Sequence, residues 1–198
     1  TFDDNAHSFP KPLSKLSKSD WNVQAVMRLN QNSPMLGAGI GNAYSKKQSI
    51  VIPDQSADSI VLTIDRVTKA PSLPATDNWS MAELPSPLLS AFYKRPIKMR
   101  AIVLLPDGYE MSGDRHYPTL YWVGGFGSDH LSAFQFSNMW NNTPGSDGII
   151  RVVLDPLCYG GHHVFADSAN NGPRAKALIE EFIPYLERTY RVDTHPEA

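Results

Sequence analysis

The sequence predicts an α/β fold, a mostly parallel sheet covered by helices, following a smaller β-rich region. Three observations carry this. Residues 98–106 (KMRAIVLLP), 117–123 (YPTLYWV) and 149–155 (IIRVVLD) are nearly continuous apolar runs, the pattern of strands buried on both faces. Residues 174–190 place apolar side chains at steps of three and four, the pattern of an amphipathic helix. Composition shifts near residue 85, away from a stretch rich in Ser, Asn and Pro, and divides the chain into residues 1–84 and 85–198.

In the first part, residues 1–19 carry Pro10, Pro12 and basic side chains among serines, which reads as a tail or extended strap. Residues 21–29 partly alternate, with Trp21, Val23, Ala25, Met27 and Leu29 expected to point one way from a half-buried strand. Residues 49–53 are a second short strand, and residues 59–67 (SIVLTIDRV), rich in β-branched side chains, a third. Pro71, Pro74, Pro85 and Pro87 then punctuate a loop. Short strands with turn signals point to a small β-sandwich-like unit.

In the second part, Pro106-Asp107-Gly108 closes the first strand as a turn, and Gly124-Gly125-Phe126-Gly127 ends the second. Asn171-Gly172-Pro173 supplies a capping residue and a proline for the start of the helix. Its expected buried face is Ala175, Leu178, Ile179, Phe182, Ile183, Leu186 and Tyr190, and Pro184 is expected to kink it. A sheet ending after this helix would leave that face partly uncovered and the strand at 149–155 with an open edge, so residues 1–198 alone are expected to aggregate or stay loosely folded.

With 41% hydrophobic residues the chain of 198 residues can pack a core. Its 18 basic and 20 acidic residues form no long basic run, which argues against a nucleic-acid partner. The apolar stretches are too short to span a bilayer. The single cysteine, Cys158, excludes an internal disulfide and a cysteine-cluster zinc site. The chain opens on Thr1 with no apolar leader after it, as expected after processing or at a boundary within a longer protein.

Two loops could carry chemistry. Gly124-Gly125-Phe126-Gly127-Ser128-Asp129 follows the carboxyl end of a strand, where α/β sheets build their sites. Its glycines can turn tightly and present N–H groups to an oxyanion or a phosphate; the plain alternative is a tight turn. Residues 157–172 form a second, long loop. Its adjacent His162 and His163 point to opposite sides of an extended segment and make a poor metal pair. Asp167 and Ser168 read as turn or cap hydrogen-bonding groups. Cys158 reads as a small buried hydrophobe. Gly37-Ala38-Gly39-Ile40-Gly41-Asn42 is half of a dinucleotide fingerprint without the strand before it or the helix after it, and reads as a flexible loop. Trp21, Trp79, Trp122 and Trp140 read as core or cleft walls.

Residues 86–106 (SPLLSAFYKRPIKMRAIVLLP), 117–128 (YPTLYWVGGFGS) and 149–190, above all HHVFADSANNGP at 162–173, resemble the first part of the putative esterase family. That family lies in the α/β-hydrolase superfamily and includes esterase-D-like, enterochelin-esterase-like and feruloyl-esterase-like enzymes. Residues 21–67 resemble the β-rich extension that some members carry. The resemblance implies a serine hydrolase that needs no cofactor or metal. In it a G-x-S-x-G serine attacks an ester carbonyl, an acid and a histidine follow in the chain, and one oxyanion donor comes from an earlier strand's loop. Here that donor would be Gly125 or Phe126. Gly124, Gly127, His162, His163, Asp167 and Asn170 are expected at the substrate.

Residues 1–198 contain no G-x-S-x-G. Gly145-Ser146-Asp147-Gly148 has the wrong spacing and precedes a strand. The family order puts the elbow, the acid and the histidine beyond Ala198, so the chain holds no nucleophile or base of its own. The remainder is expected as another segment or chain. None of the six histidines fills the gap. The expected role is the amino-terminal part of a serine carboxylic-ester hydrolase acting on a small-molecule or carbohydrate ester. The alternative is a non-catalytic carbohydrate- or protein-binding module on a degenerate hydrolase half. A nucleotide-binding domain lacks its phosphate loop. Phe126, Phe134, Phe136, Trp140, Tyr159 and Phe165 could form an apolar or sugar-stacking cleft, or core. Family members with β-rich extensions are often exported, which points to a secreted or periplasmic protein.

Overall fold

The computed structural model describes residues 15, 20–30, 32, 39–51, 60–75, 78–109, 113–135 and 148–195. The tail at 1–19, apart from Lys15 in a helical turn, lies outside them. So do Gly37, Ala38, Phe136, Trp140 and Gly145-Ser146-Asp147. The chain divides into two compact units, Thr1–Asn30 with Met35–Ala70, and Gln31–Pro34 with Pro71–Ala198.

The first unit holds two small antiparallel sheets. β1 (Asp20–Val23) pairs with β4 (Gln48–Val51), and β2 (Val26–Met27), β3 (Ala43–Ser45) and β5 (Ile64–Val67) pair in the order β2-β3-β5. The single strand expected over 21–29 is thus split. Ser45 explains the break: its buried hydroxyl accepts from Ala25 N at 3.0 Å, and its N–H donates to Ala25 O at 2.9 Å. Alternation holds for Trp21, Val23 and Ala25 and fails beyond, where Met27 and Leu29 are exposed. The strand expected over 59–67 contracts to β5, all four of whose residues are exposed. The supposed flexible loop before β3 is a hydrogen-bonded turn. Asn42 is fully buried there, accepts from Asn30 N at 2.6 Å, and follows Gly41 at φ 88°.

The second unit holds one four-stranded sheet. Its strands are β6 (Trp79–Pro85), β7 (Lys98–Leu104), β8 (Thr119–Val123) and β9 (Ile150–Leu154), in the order β6-β7-β9-β8. Only β8 and β9 are parallel; β6–β7 and β7–β9 are antiparallel. The sheet is therefore mixed among the described residues, not mostly parallel. β9 is central, not an edge, and all five of its residues are buried.

Two elements lie where a proline loop was expected. Pro85 ends β6, and Pro87 opens helix α1 (Pro87–Tyr93) from its first turn, where a missing N–H costs nothing. Between them Ser86 caps α1, accepting from Leu89 N at 3.2 Å. Ser86 Oγ in turn donates to Glu181, whose other oxygen accepts from Leu88 N at 2.9 Å.

The long helix expected over 174–190 runs as α2 (Arg174–Ala177), a π-helical turn (Leu178–Phe182) and α3 (Ile183–Tyr190). Ile183 N–H bonds back to Leu178 O, five residues away. Pro184 then falls in the first turn of α3, where it breaks no bond, so the π turn replaces the expected kink. The wider turn also shifts the buried face to Ala177, Phe182, Leu186 and Tyr190, and turns Ile179 out to 63% exposure. That face is not left bare. It packs with Val103, Val152 and Leu154 on one side of the sheet, while Ile102 and Val153 on the other meet Ala133, Trp79, Trp122 and Phe134.

Glu181 therefore ties the π turn to the start of α1. Replacing it by Ala (E181A) leaves the Leu88 N–H without its acceptor and is expected to cost about 1–3 kcal/mol in urea unfolding. Combining it with S86A is expected to cost less than the sum of the two, because the partners are shared.

Candidate active site

The two candidate loops meet because they follow the two parallel strands. β8 ends at Val123 and β9 at Leu154, in register as neighbours, so both following loops leave from the same end of the sheet. Gly125 O accepts from Ser128 N at 3.0 Å, closing a turn with Gly127 at φ 85°. A residue with positive φ at the third place of such a turn favours glycine. Gly124 is required for a different reason: a Cβ there would lie 2.6 Å from Ser128 Cβ. A Cβ at Gly125 would meet nothing within 4 Å. The turn's own bond is donated by Ser128, so it does not use the N–H groups of Gly125 and Phe126. The Phe126 ring is 73% exposed.

Beyond the turn, Asp129 caps a short 3-10 helix, His130–Ser132, by accepting from Leu131 N at 2.9 Å. This buries His130 with its Nδ1 3.2 Å from Asp155 Oδ2. The two atoms are close but lack hydrogen-bond alignment. In the sequence Asp155 only closes the apolar run 149–155, and nothing singles out His130. Asp155 follows the last residue of a buried strand, which was the available signal; no motif marks His130.

The second loop is internally bonded. His163 N donates to Pro156 O at 3.0 Å, and Gly161 N to Cys158 O at 2.9 Å. The two imidazoles lie 6.5 Å apart, centroid to centroid, and make different contacts. His162 Nδ1 accepts from Val164 N at 3.0 Å, so the neutral ring carries its proton on Nε2, which lies 2.9 Å from Gly124 O. His163 Nδ1 accepts from Phe165 N at 3.0 Å, and its ring is buried edge-to-face on Phe165 at 4.6 Å. Val164 and Phe165 both have left-handed backbone, at φ 46° and 51°, a conformation that a β-branched valine adopts only under strain. Among the described residues no group of three His, Cys, Asp or Glu side chains could hold a metal.

Asp167 caps α2. Its Oδ1 accepts from Ala175 N at 2.7 Å and Lys176 N at 3.3 Å, in place of the Asn171 expected there. Arg174 is buried, donates to Asn171 O and Tyr93 Oη, and lies over the Tyr93 ring. Cys158 is buried and unbridged, and burial raises its thiol pKa. Phe134 stacks edge-on against Trp79 at 5.2 Å, as core. Phe165 is buried, while Tyr159 and Asn170 are exposed.

His163 stays neutral. Burial, and then the Arg174 charge, lower its pKa from 6.5 to about 3, against the opposing pull of Asp155. Below pH of about 6.5 the unfolded chain binds a proton that the folded chain does not. Stability is therefore fully present above that pH and falls as pH drops, by up to about 1.4 kcal/mol per unit. Urea unfolding at pH 7 and pH 5 is expected to show this loss, and H163N, whose carboxamide oxygen can accept the Phe165 N–H, to show a flatter dependence.

The family described as putative esterase matches residues 94–198 of this chain. No curated protein matches. Among solved structures, a ferulic acid esterase superposes at a TM-score of 0.46 with 21% identity, over 58% of this chain. The aligned part spans 45% of that esterase's length.

Proposed function

Because this chain belongs to the putative esterase family, we propose that it forms the amino-terminal part of a serine carboxylic-ester hydrolase. Its own residues supply the oxyanion loop and part of the cleft, and the nucleophile elbow, acid and base follow Ala198 in the protein.

One observation in particular supports this reading. Among the described residues β8 is an edge strand, on which Leu120 and Val123 are 45% and 41% exposed. The chain leaving α3 returns to that strand. Val192 forms a parallel bridge with Tyr117, Tyr117 N donates to Arg191 O at 3.0 Å, and Asp193 N donates to Tyr117 O at 2.9 Å. The bridge is confined to this position, since Asp193–His195 form no strand, and we read it as the approach of a fifth strand parallel to β8. Its carboxyl end would then emerge beside Gly125 and Phe126, where an elbow serine needs to stand.

In the proposed reaction the serine attacks the ester carbonyl and its proton passes to the histidine. The negative charge that develops on the carbonyl oxygen is held by the backbone N–H that follows the serine and by Gly125 or Phe126 N–H. Exposed Phe126, Tyr159 and Asn170 are available to the acyl or alcohol part.

The donor assignment is tested with the full-length protein. Phe126 holds the second place of its turn, a position that tolerates proline. F126P therefore removes one donor and keeps the turn. Hydrolysis of p-nitrophenyl acetate is expected to lose about 10²–10³ in kcat if Phe126 is the donor. F126A, which keeps the N–H, is expected to lose far less. Equal activity in F126P and F126A would move the role to Gly125. A full-length protein that neither turns over the ester nor reacts with a fluorophosphonate would refute the hydrolase reading.

A further inference from the structure

The bond between His162 and Gly124 fixes more than a loop end. A trans peptide sets the C=O of one residue and the N–H of the next on opposite sides of its plane. The Gly124 carbonyl is drawn toward the loop after β9 by His162 Nε2–H at 2.9 Å. The Gly125 N–H, across the same peptide, is therefore turned away from that loop. Neither glycine carries a side chain that would hold this plane, and the space beside Gly125 is open. Left alone, the peptide could rotate.

The histidine is itself held. Val164 N–H locks its Nδ1 as an acceptor, which puts the proton on the nitrogen facing Gly124. The same segment carries left-handed backbone at Val164 and Phe165, so the chain turns sharply just beyond the ring. On the far side, the Asp129 cap closes the loop against the 3-10 helix. A histidine locked by its own loop thus sets a single peptide plane in the other.

We propose that His162 is a positioning residue: it pins the Gly124–Gly125 peptide plane and so aims the Gly125 N–H as an oxyanion donor. This role rests on the hydrolase reading. It replaces direct substrate contact, since both ring nitrogens are already engaged within the protein.

The test uses the full-length protein, with H162A and H162Q, whose carboxamide N–H can reach as far as the imidazole Nε2. Toward p-nitrophenyl acetate, H162A is expected to lose about ten- to a hundredfold in kcat with KM within about twofold, the cost of a misaimed group. H162Q is expected to recover most of that loss. By NMR, the wild-type His162 ring is expected as the Nε2–H tautomer, and the Gly125 amide resonance to shift in H162A and return in H162Q. An inactive wild-type protein with these NMR changes present would reject the hydrolase reading and keep the pinned peptide. An active wild type whose kcat and Gly125 amide are unmoved in H162A would overturn the positioning role.

Discussion

Everything described in the second unit depends on β9 being paired on both sides and buried on both faces. Its antiparallel partner β7 ties it to β6. Its parallel partner β8 brings two strand ends into register. Five buried residues in a row leave no freedom to slip, because a shift of one would exchange the side chains of the two faces. Val152 and Leu154 then face the helices, while Val153 faces Ala133 and Phe134. The loop geometry at the strand ends follows from that fixed register.

The three strands of this sheet that are apolar runs were legible in the sequence, although the burial on both faces expected of them holds throughout only in β9: β7 alternates over Lys98–Ala101 and β8 has no buried residue. β6 was not legible. Its sequence, WSMAELP, has one fully buried residue, Ala82, and stands among prolines. Helix α1 was hidden for a related reason: a proline that breaks a helix interior also starts one. Sheet direction was misread because strand–loop–strand order does not encode whether a connection is a hairpin or a crossover. In the first unit, a short alternating pattern could not reveal that Ser45 would interrupt it.

At the candidate site the glycine turn could be read from composition, since few other residues accept Gly127's φ or Gly124's close neighbour. The partners of those glycines could not. His162 and Gly124 belong to different loops, and only the pairing of β8 with β9 brings them together. The two histidines were expected on opposite sides of an extended segment, yet their ring centroids lie only 6.5 Å apart, each ring turned back onto an N–H of its own loop. What no pattern foretold is that each imidazole would accept the N–H two residues on, in a segment where a valine and a phenylalanine are left-handed.

The bridge between Tyr117 and Val192 bears on synthesis. β8 leaves the ribosome well before the residues that return to it. At about 5–20 residues per second, the edge begun at Tyr117 waits seconds for its partner. During that interval a strand ending in Tyr-Trp-Val presents unpaired backbone groups, a template for another chain. A nascent chain with this topology therefore carries an apolar strand that stays unpaired until β9 has been made.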